Sequence, residues 1–239
     1  MSFMNLAHRG ASAYAPENTR ASFDKGIELG ANGIETDLQK TSDGVIFLFH
    51  DDRLDNKTNA KGRPIEYSWA ELRRLDAGSW FSPEYKDERL LSLEEFLRRY
   101  GTRPLLLALE LKVPFVGEEV EGILQLVDLY DVRERVTLTS FLFDNLATTR
   151  QVDAEIRIGY LVRRIDIDVI RQLTAIDAQQ ICPSADLITA EDVSLAKEHG
   201  LEVRTWGVEN IDLMNHALNC QVDGMTLDSP DALRKRQQV

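Results

Sequence analysis

The residues of this chain best placed to do chemistry are a set of carboxylates and two of its four histidines. Glu35 and Asp37 stand two apart in Ile34-Glu35-Thr36-Asp37-Leu38, so on a strand both carboxylates point to one face. Glu110 closes the apolar run 105–109, with Lys112 two residues on. In a strand buried on both faces such carboxylates repel one another and lose hydration unless a cation joins them. Three ligands offering oxygen alone suit a hard cation, Mg or Ca, with Mn also compatible, better than Zn. His8 and His50 each end a β-like run, and an imidazole titrating near neutrality serves as either acid or base. Arg9 with its planar fork and Lys112 as a point charge suit phosphate oxygens. The bland alternatives are a surface position for Glu35 and a rim salt bridge between Lys112 and Glu110. Together these types describe metal-assisted chemistry on a phosphate ester.

These groups need a scaffold that brings them to one place. Short β-branched or Leu-rich runs predict strands at 3–7, 33–39, 45–50, 104–112, 136–140, 157–161, 180–183, 202–206 and 224–227. The second and third are joined by Thr41-Ser42-Asp43-Gly44, a hairpin turn signal, so 45–50 reads as an arm attached to the second strand. Helical periods lie between the strands at 19–29, 93–100, 118–130, 144–152, 168–175, 191–199 and 211–218, with Asn18 expected as the cap of the first. Sustained alternation predicts a parallel sheet. Eight strands besides the arm favour a closed (β/α)8 TIM barrel, an open doubly wound sheet being the alternative. The polar stretch 51–92, with a small helical patch at 69–75, reads as an insertion after the second strand. The chain, 1–239, is expected to be one domain. A loop at a strand's C-terminal end lies beside a barrel's active site, where His8, His50 and the carboxylates also fall.

Composition limits the partners. With 40 acidic and 28 basic residues the net charge is −12, which argues against nucleic acid or an anionic membrane as the main partner. A small anion stays compatible, because a cation and a few basic residues reverse the field locally. Nothing has the apolar length to insert stably in a bilayer, and the first seven residues lack the features of a secretion leader, so a cytoplasmic location is expected. Cys182 and Cys220, at no metal or redox spacing, read as small buried residues. His199 and His216 fall in helical patterns and read as solvated or partly packed.

The ordered set His8-Arg9-Gly10, Pro16-Glu17-Asn18-Thr19, Gly30 to Asp37, Thr41 to Gly44, His50-Asp51, Leu75 to Phe81, Leu93-Glu94-Glu95, Glu110-Leu111-Lys112, Ser140-Phe141, Thr205-Trp206 and Val222-Asp223-Gly224 resembles the glycerophosphodiester phosphodiesterase family. The match runs in family order over nearly the entire chain. The resemblance implies the barrel with its insertion and hydrolysis of deacylated phospholipids, a small-molecule substrate, to glycerol 3-phosphate and an alcohol. It implies His8 and His50 as acid and base, and a divalent cation on Glu35, Asp37 and Glu110. Arg9 and Lys112 would hold phosphate and Trp206 would line the glycerol end. The family route uses the substrate's own glycerol hydroxyl and a cyclic phosphate, which agrees with the lack of a Ser or Cys nucleophile beside a base. Asn56 stands where an arginine is common, Leu91 replaces a proline and Leu227 a threonine, departures that bear on substrate preference. A lyase stopping at the cyclic phosphate and a non-catalytic binding protein are the competing readings, and a homo-oligomer is compatible with all of them.

Overall fold

The computed structural model describes residues 3–237, with the side chains of 3–233. In chain order the strands are β1 (Met4–His8), β2 (Gly33–Lys40), β3 (Ile46–Leu48), β4 (Leu106–Leu111), β5 (Val136–Ser140), β6 (Arg157–Val162), β7 (Gln180–Pro183), β8 (Glu202–Thr205) and β9 (Gly224–Leu227). All except β3 pair in parallel in the order β1-β9-β8-β7-β6-β5-β4-β2, and β1 pairs with β2 to close the ring. The fold is a (β/α)8 barrel with one extra strand, and the open sheet is excluded by that closing pair. Its helices are α1 (Arg20–Glu28), α2 (Trp69–Leu72), α3 (Leu93–Tyr100), α4 (Gly117–Leu129), α5 (Phe143–Val152), α6 (Ile167–Ala175), α7 (Ala190–Glu198), α8 (Ile211–Asn219) and α9 (Pro230–Gln237). The sequence reading missed α9, whose Arg234-Lys235-Arg236 run interrupts any apolar stripe. No helix among the described residues is long and apolar enough to cross a membrane.

The barrel wall is apolar where it meets the helices. Ile34, Leu38, Leu107, Leu109, Val136 and Leu138 pack with Phe23, Phe96, Val120 and Leu146 from the surrounding helices in one continuous core. A second cluster, with Ile181, Val203 and Met225 against Ile170, Val193 and Met214, serves the other side. Because strand side chains alternate, seating these residues outward turns Glu35, Asp37 and Glu110 into the barrel.

The extra strand has a local cause. Pairing of β1 with β2 stops at Glu35, while β2 continues to Lys40, so its last residues have a free edge. β3 fills that edge in antiparallel register, Leu38 opposite Leu48, after a turn at Gly44 with φ of +80°. The hairpin carries the chain back toward the mouth, where the Phe49 N–H donates to the Asp37 carbonyl (3.0 Å). His50 and Asp51 follow directly. The insertion then packs on its own small core of Phe47, Phe49, Leu54, Leu72, Ala77 and Leu90.

Candidate active site

Glu35 and Asp37 from β2 and Glu110 from β4 converge inside the mouth, with one oxygen of each within 4.8 Å of the others. Register dictates this, since Asp37 lies beside Glu110 and Glu35 beside His8. All three are buried. Burial, reinforced by Asp37, pushes the Glu110 carboxyl up to about 8, and the same two causes raise Glu35. Burial would raise Asp37 too, but Arg9, His50 and Lys112 hold it below the ordinary carboxylate range. Its Oδ1 accepts no hydrogen bond, the Lys112 ammonium standing 3.8 Å away. Buried oxygens crowded together, with one acceptor unmatched and one carboxyl driven toward protonation, suit a hard divalent cation.

Two cationic side chains border the cluster. The Lys112 Nζ lies 3.0 Å from Glu110. Arg9 adopts φ of +54°, unusual for a residue with a side chain, and its backbone N–H donates to the Glu35 carbonyl (2.9 Å). The guanidinium thereby reaches Asp37 (3.2 Å) and Glu17 (3.3 Å).

Each cleft histidine is held by an aspartate. The Nδ1 of His8 sits 2.5 Å from Asp228 and that of His50 sits 2.8 Å from Asp51. A carboxylate accepts only, so both Nδ1 atoms carry hydrogen and both Nε2 atoms are left to work. Burial alone would lower the His8 pKa, but the bond to Asp228, with Glu35 nearby, raises it. Burial lowers His50, with Arg9 and Lys112 acting in the same direction against the opposing pull of Asp37 and Asp51. Asp228 itself is held at about 2 against its burial by His8 and Ser12. The two imidazoles are therefore shifted in opposite directions, His8 up and His50 down.

The structure brings together all eight residues singled out from the sequence. A cleft of about 270 Å³ is lined by His8, Arg9, Glu35, His50, Glu110, Lys112 and Trp206, and Asp37 lies beside Glu110 on the neighbouring strand. The Trp206 indole N–H donates to the Val162 and Cys182 carbonyls (3.1 and 3.0 Å), fixing the ring edge-on to the exposed Phe141. A larger cavity of about 610 Å³ opens at the other end, where the strands begin, but its Arg157 and Glu202 neutralise each other at 2.6 Å.

Five further residues hold these groups in place. Asp228 and Asp51 orient the histidines, and only the second had a hint, in the His50-Asp51 pair. Asn18 is not the α1 cap, which is Thr19. With φ of +56°, Asn18 donates to Asp37 (3.0 Å) and accepts from Thr36 (2.7 Å), holding a cluster carboxylate. Glu17 accepts from the Arg9 guanidinium (3.3 Å) and so orients it. Arg204 floors the cleft, fully buried, donating to Gln180 (3.0 Å), Thr226 and the Cys182 sulfur (3.3 Å). Its charge favours ionised Glu35.

The mouth of this (β/α)8 barrel gathers buried carboxylates, two cationic side chains and aspartate-held histidines, a set suited to chemistry on a phosphodiester. Residues 8–232 match the Glycerophosphoryl diester phosphodiesterase family, and the chain belongs to it. Its activity is that of a glycerophosphodiester phosphodiesterase. It is 31% identical over 236 residues to the glycerophosphodiester phosphodiesterase of Caldanaerobacter subterraneus subsp. tengcongensis, covering 98% of this chain and 97% of that protein. The enzyme of the same name from Bacillus altitudinis is also 31% identical, with 98% of each chain covered. An Oleispira antarctica phosphodiesterase, solved in complex with the product sn-glycerol-3-phosphate, superposes with a TM-score of 0.89 at 28% identity, covering 98% of this chain and 96% of that one.

Proposed function

We propose that the chain hydrolyses glycerophosphodiesters to glycerol 3-phosphate and an alcohol by metal-dependent acid–base catalysis, with His8 and His50 as the working pair. The carrying observation is the buried trio Glu35, Asp37 and Glu110, flanked by two histidines that each present Nε2. Arg9 and Lys112 take phosphate oxygens and Trp206 packs against the glycerol end. When bound by the three carboxylates, a divalent cation such as Mg, Ca or Mn would draw charge from the phosphoryl oxygens.

The free glycerol hydroxyl next to the ester attacks phosphorus as one imidazole takes its proton. The bond to the head-group oxygen breaks and the other imidazole, protonated, donates to the departing alcohol. The product of this half is a cyclic phosphate. Water then opens the ring with the proton roles reversed, so both histidines return to their starting states. The substrate supplies the first nucleophile. In agreement, Cys182 is buried beside Arg204 and Cys220 is also buried, neither lining the cleft.

The test is glycerol 3-phosphate release from glycerophosphocholine, glycerophosphoethanolamine and glycerophosphoglycerol, with and without Mg or Ca. Cation-dependent release, lost by about 10²–10⁴-fold in His50→Ala, is the expected result. Accumulation of cyclic phosphate without glycerol 3-phosphate would refute hydrolysis in favour of a lyase.

A further inference from the structure

Contacts cross the whole mouth from one tryptophan to another. Trp206 meets Phe141 at 5.3 Å, and Lys112 lies 5.8 Å from that ring and 3.0 Å from Glu110. On the far side of the cluster, Arg9 reaches Glu17, whose second oxygen takes the Lys57 ammonium at 3.0 Å. Lys57 in turn sits 3.8 Å from the ring centroid of Trp80. Both Lys57 and Trp80 come from the insertion, and His50 and Asp51 each have a ligand atom within 4.8 Å of Glu17. If Trp206 lines the glycerol end, this opposite wall faces the departing alcohol.

That wall has the two components that recognise a quaternary ammonium, an aromatic face and an adjacent carboxylate. The Trp80 ring is fixed, its indole N–H donating to the Ala77 carbonyl (2.8 Å) and its edge packed at 89° to Phe81. Glu17 is mostly buried, with 12% of its side chain exposed. Yet both components are already taken by the protein's own ammonium. Asn56 is exposed, while the neighbouring Lys57 is half-buried on Trp80 and Glu17.

We propose that Lys57 is a specificity-determining residue that fills a latent head-group site on Trp80 and Glu17. In doing so it disfavours diesters with a cationic head group relative to those with an uncharged polyol. A choline head would have to displace Lys57 or lie beside it as a like charge, whereas a glycerol head meets no such conflict and can accept from the ammonium. The proposal rests on the hydrolytic reading above, and on its assignment of Trp206 to the glycerol end.

Two measurements test it, and only one needs turnover. The first is the ratio of kcat/KM for glycerophosphoglycerol to that for glycerophosphocholine. A ratio cancels any effect of Lys57 on Arg9 that is common to both substrates. Lys57→Ala is expected to lower it by about 5–30-fold, the range of an unmasked cation–π contact, mainly through KM for the choline diester. Lys57→Arg keeps a cation and should keep the ratio. In Lys57→Ala with Trp80→Leu the gain should disappear. The second measurement is tryptophan fluorescence during titration with tetramethylammonium chloride, against a sodium chloride control. Saturable quenching is expected in Lys57→Ala and should be absent in the wild type and the double variant. An unchanged ratio in Lys57→Ala, or a gain that survives Trp80→Leu, overturns the proposal. If no diester is turned over at all, the hydrolytic reading fails, while the titration still decides whether Lys57 masks the site.

Discussion

Replacing Glu110 by glutamine should make the cation-free protein more stable while destroying its response to a divalent cation. Glu110 is buried, with its carboxyl raised from the ordinary 4.5 to about 8 by burial and by Asp37. A raised folded pKa gives stability that is present below 4.5 and lost as pH climbs through 8. At pH 7 the folded protein holds a proton there that the unfolded chain has released. Each pH unit above 4.5 is worth about 1.4 kcal/mol, so the cost at pH 7 is roughly 3 kcal/mol. Glutamine removes the titration but forfeits part of the 3.0 Å contact with Lys112, leaving a net gain of about 1–3 kcal/mol. In a chain of this length that is a rise in Tm of roughly 2–12 °C. Thermal unfolding in chelator at pH 7 measures it, and a parallel series near pH 4.5 should show the gain lost, with only the weakened Lys112 contact remaining. Added Mg or Ca should raise the wild-type Tm through preferential binding to the folded state and leave the variant where it was. A lower Tm for Glu110→Gln in chelator, or a retained cation response, would refute the account of the cluster as an electrostatically costly site awaiting a cation.

Two further changes probe the groups that hold the site. Asp228→Asn removes the charge that raises His8, so the His8 pKa followed by NMR should fall toward or below 6.5; an unchanged value would show that another group governs it. With that pKa above 6.5, the stability given by the His8–Asp228 pair is full below 6.5 as long as Asp228 (held at about 2) stays ionised, and fades as pH rises past the folded His8 value, a dependence that the variant should lose. Asn18→Ala frees Asp37 and Thr36 from their shared clamp, and cation affinity measured by calorimetry should fall about 10–100-fold, the usual effect of losing a group that orients a ligand. Unaltered affinity would mean that β2 alone positions Asp37.

Much of this protein is written in local sequence. Strand and helix periods are set by neighbours a few residues apart, so the β-strands and the alternation that demands a parallel sheet can be read directly. The two-residue spacing of Glu35 and Asp37, and Glu110 at the end of an apolar run, mark carboxylates in a place where burial is costly without a cation. His8 and His50 are legible because each ends a β run at the same rim. Where sequence reading failed, the partner was distant or the backbone unusual. Asp228 meets His8 across 220 residues and only because barrel closure sets β9 beside β1. Asn18 has a good capping residue's chemistry, but its positive φ turns the amide toward Asp37 and leaves the cap to Thr19. Lys57 reads as an ordinary insertion lysine until the folded insertion lays it on Trp80 beside Glu17. Residue type and spacing determine which atoms can react. Which of them share a charge, a proton or a ring face depends on distances that only closure of the barrel and packing of the insertion create.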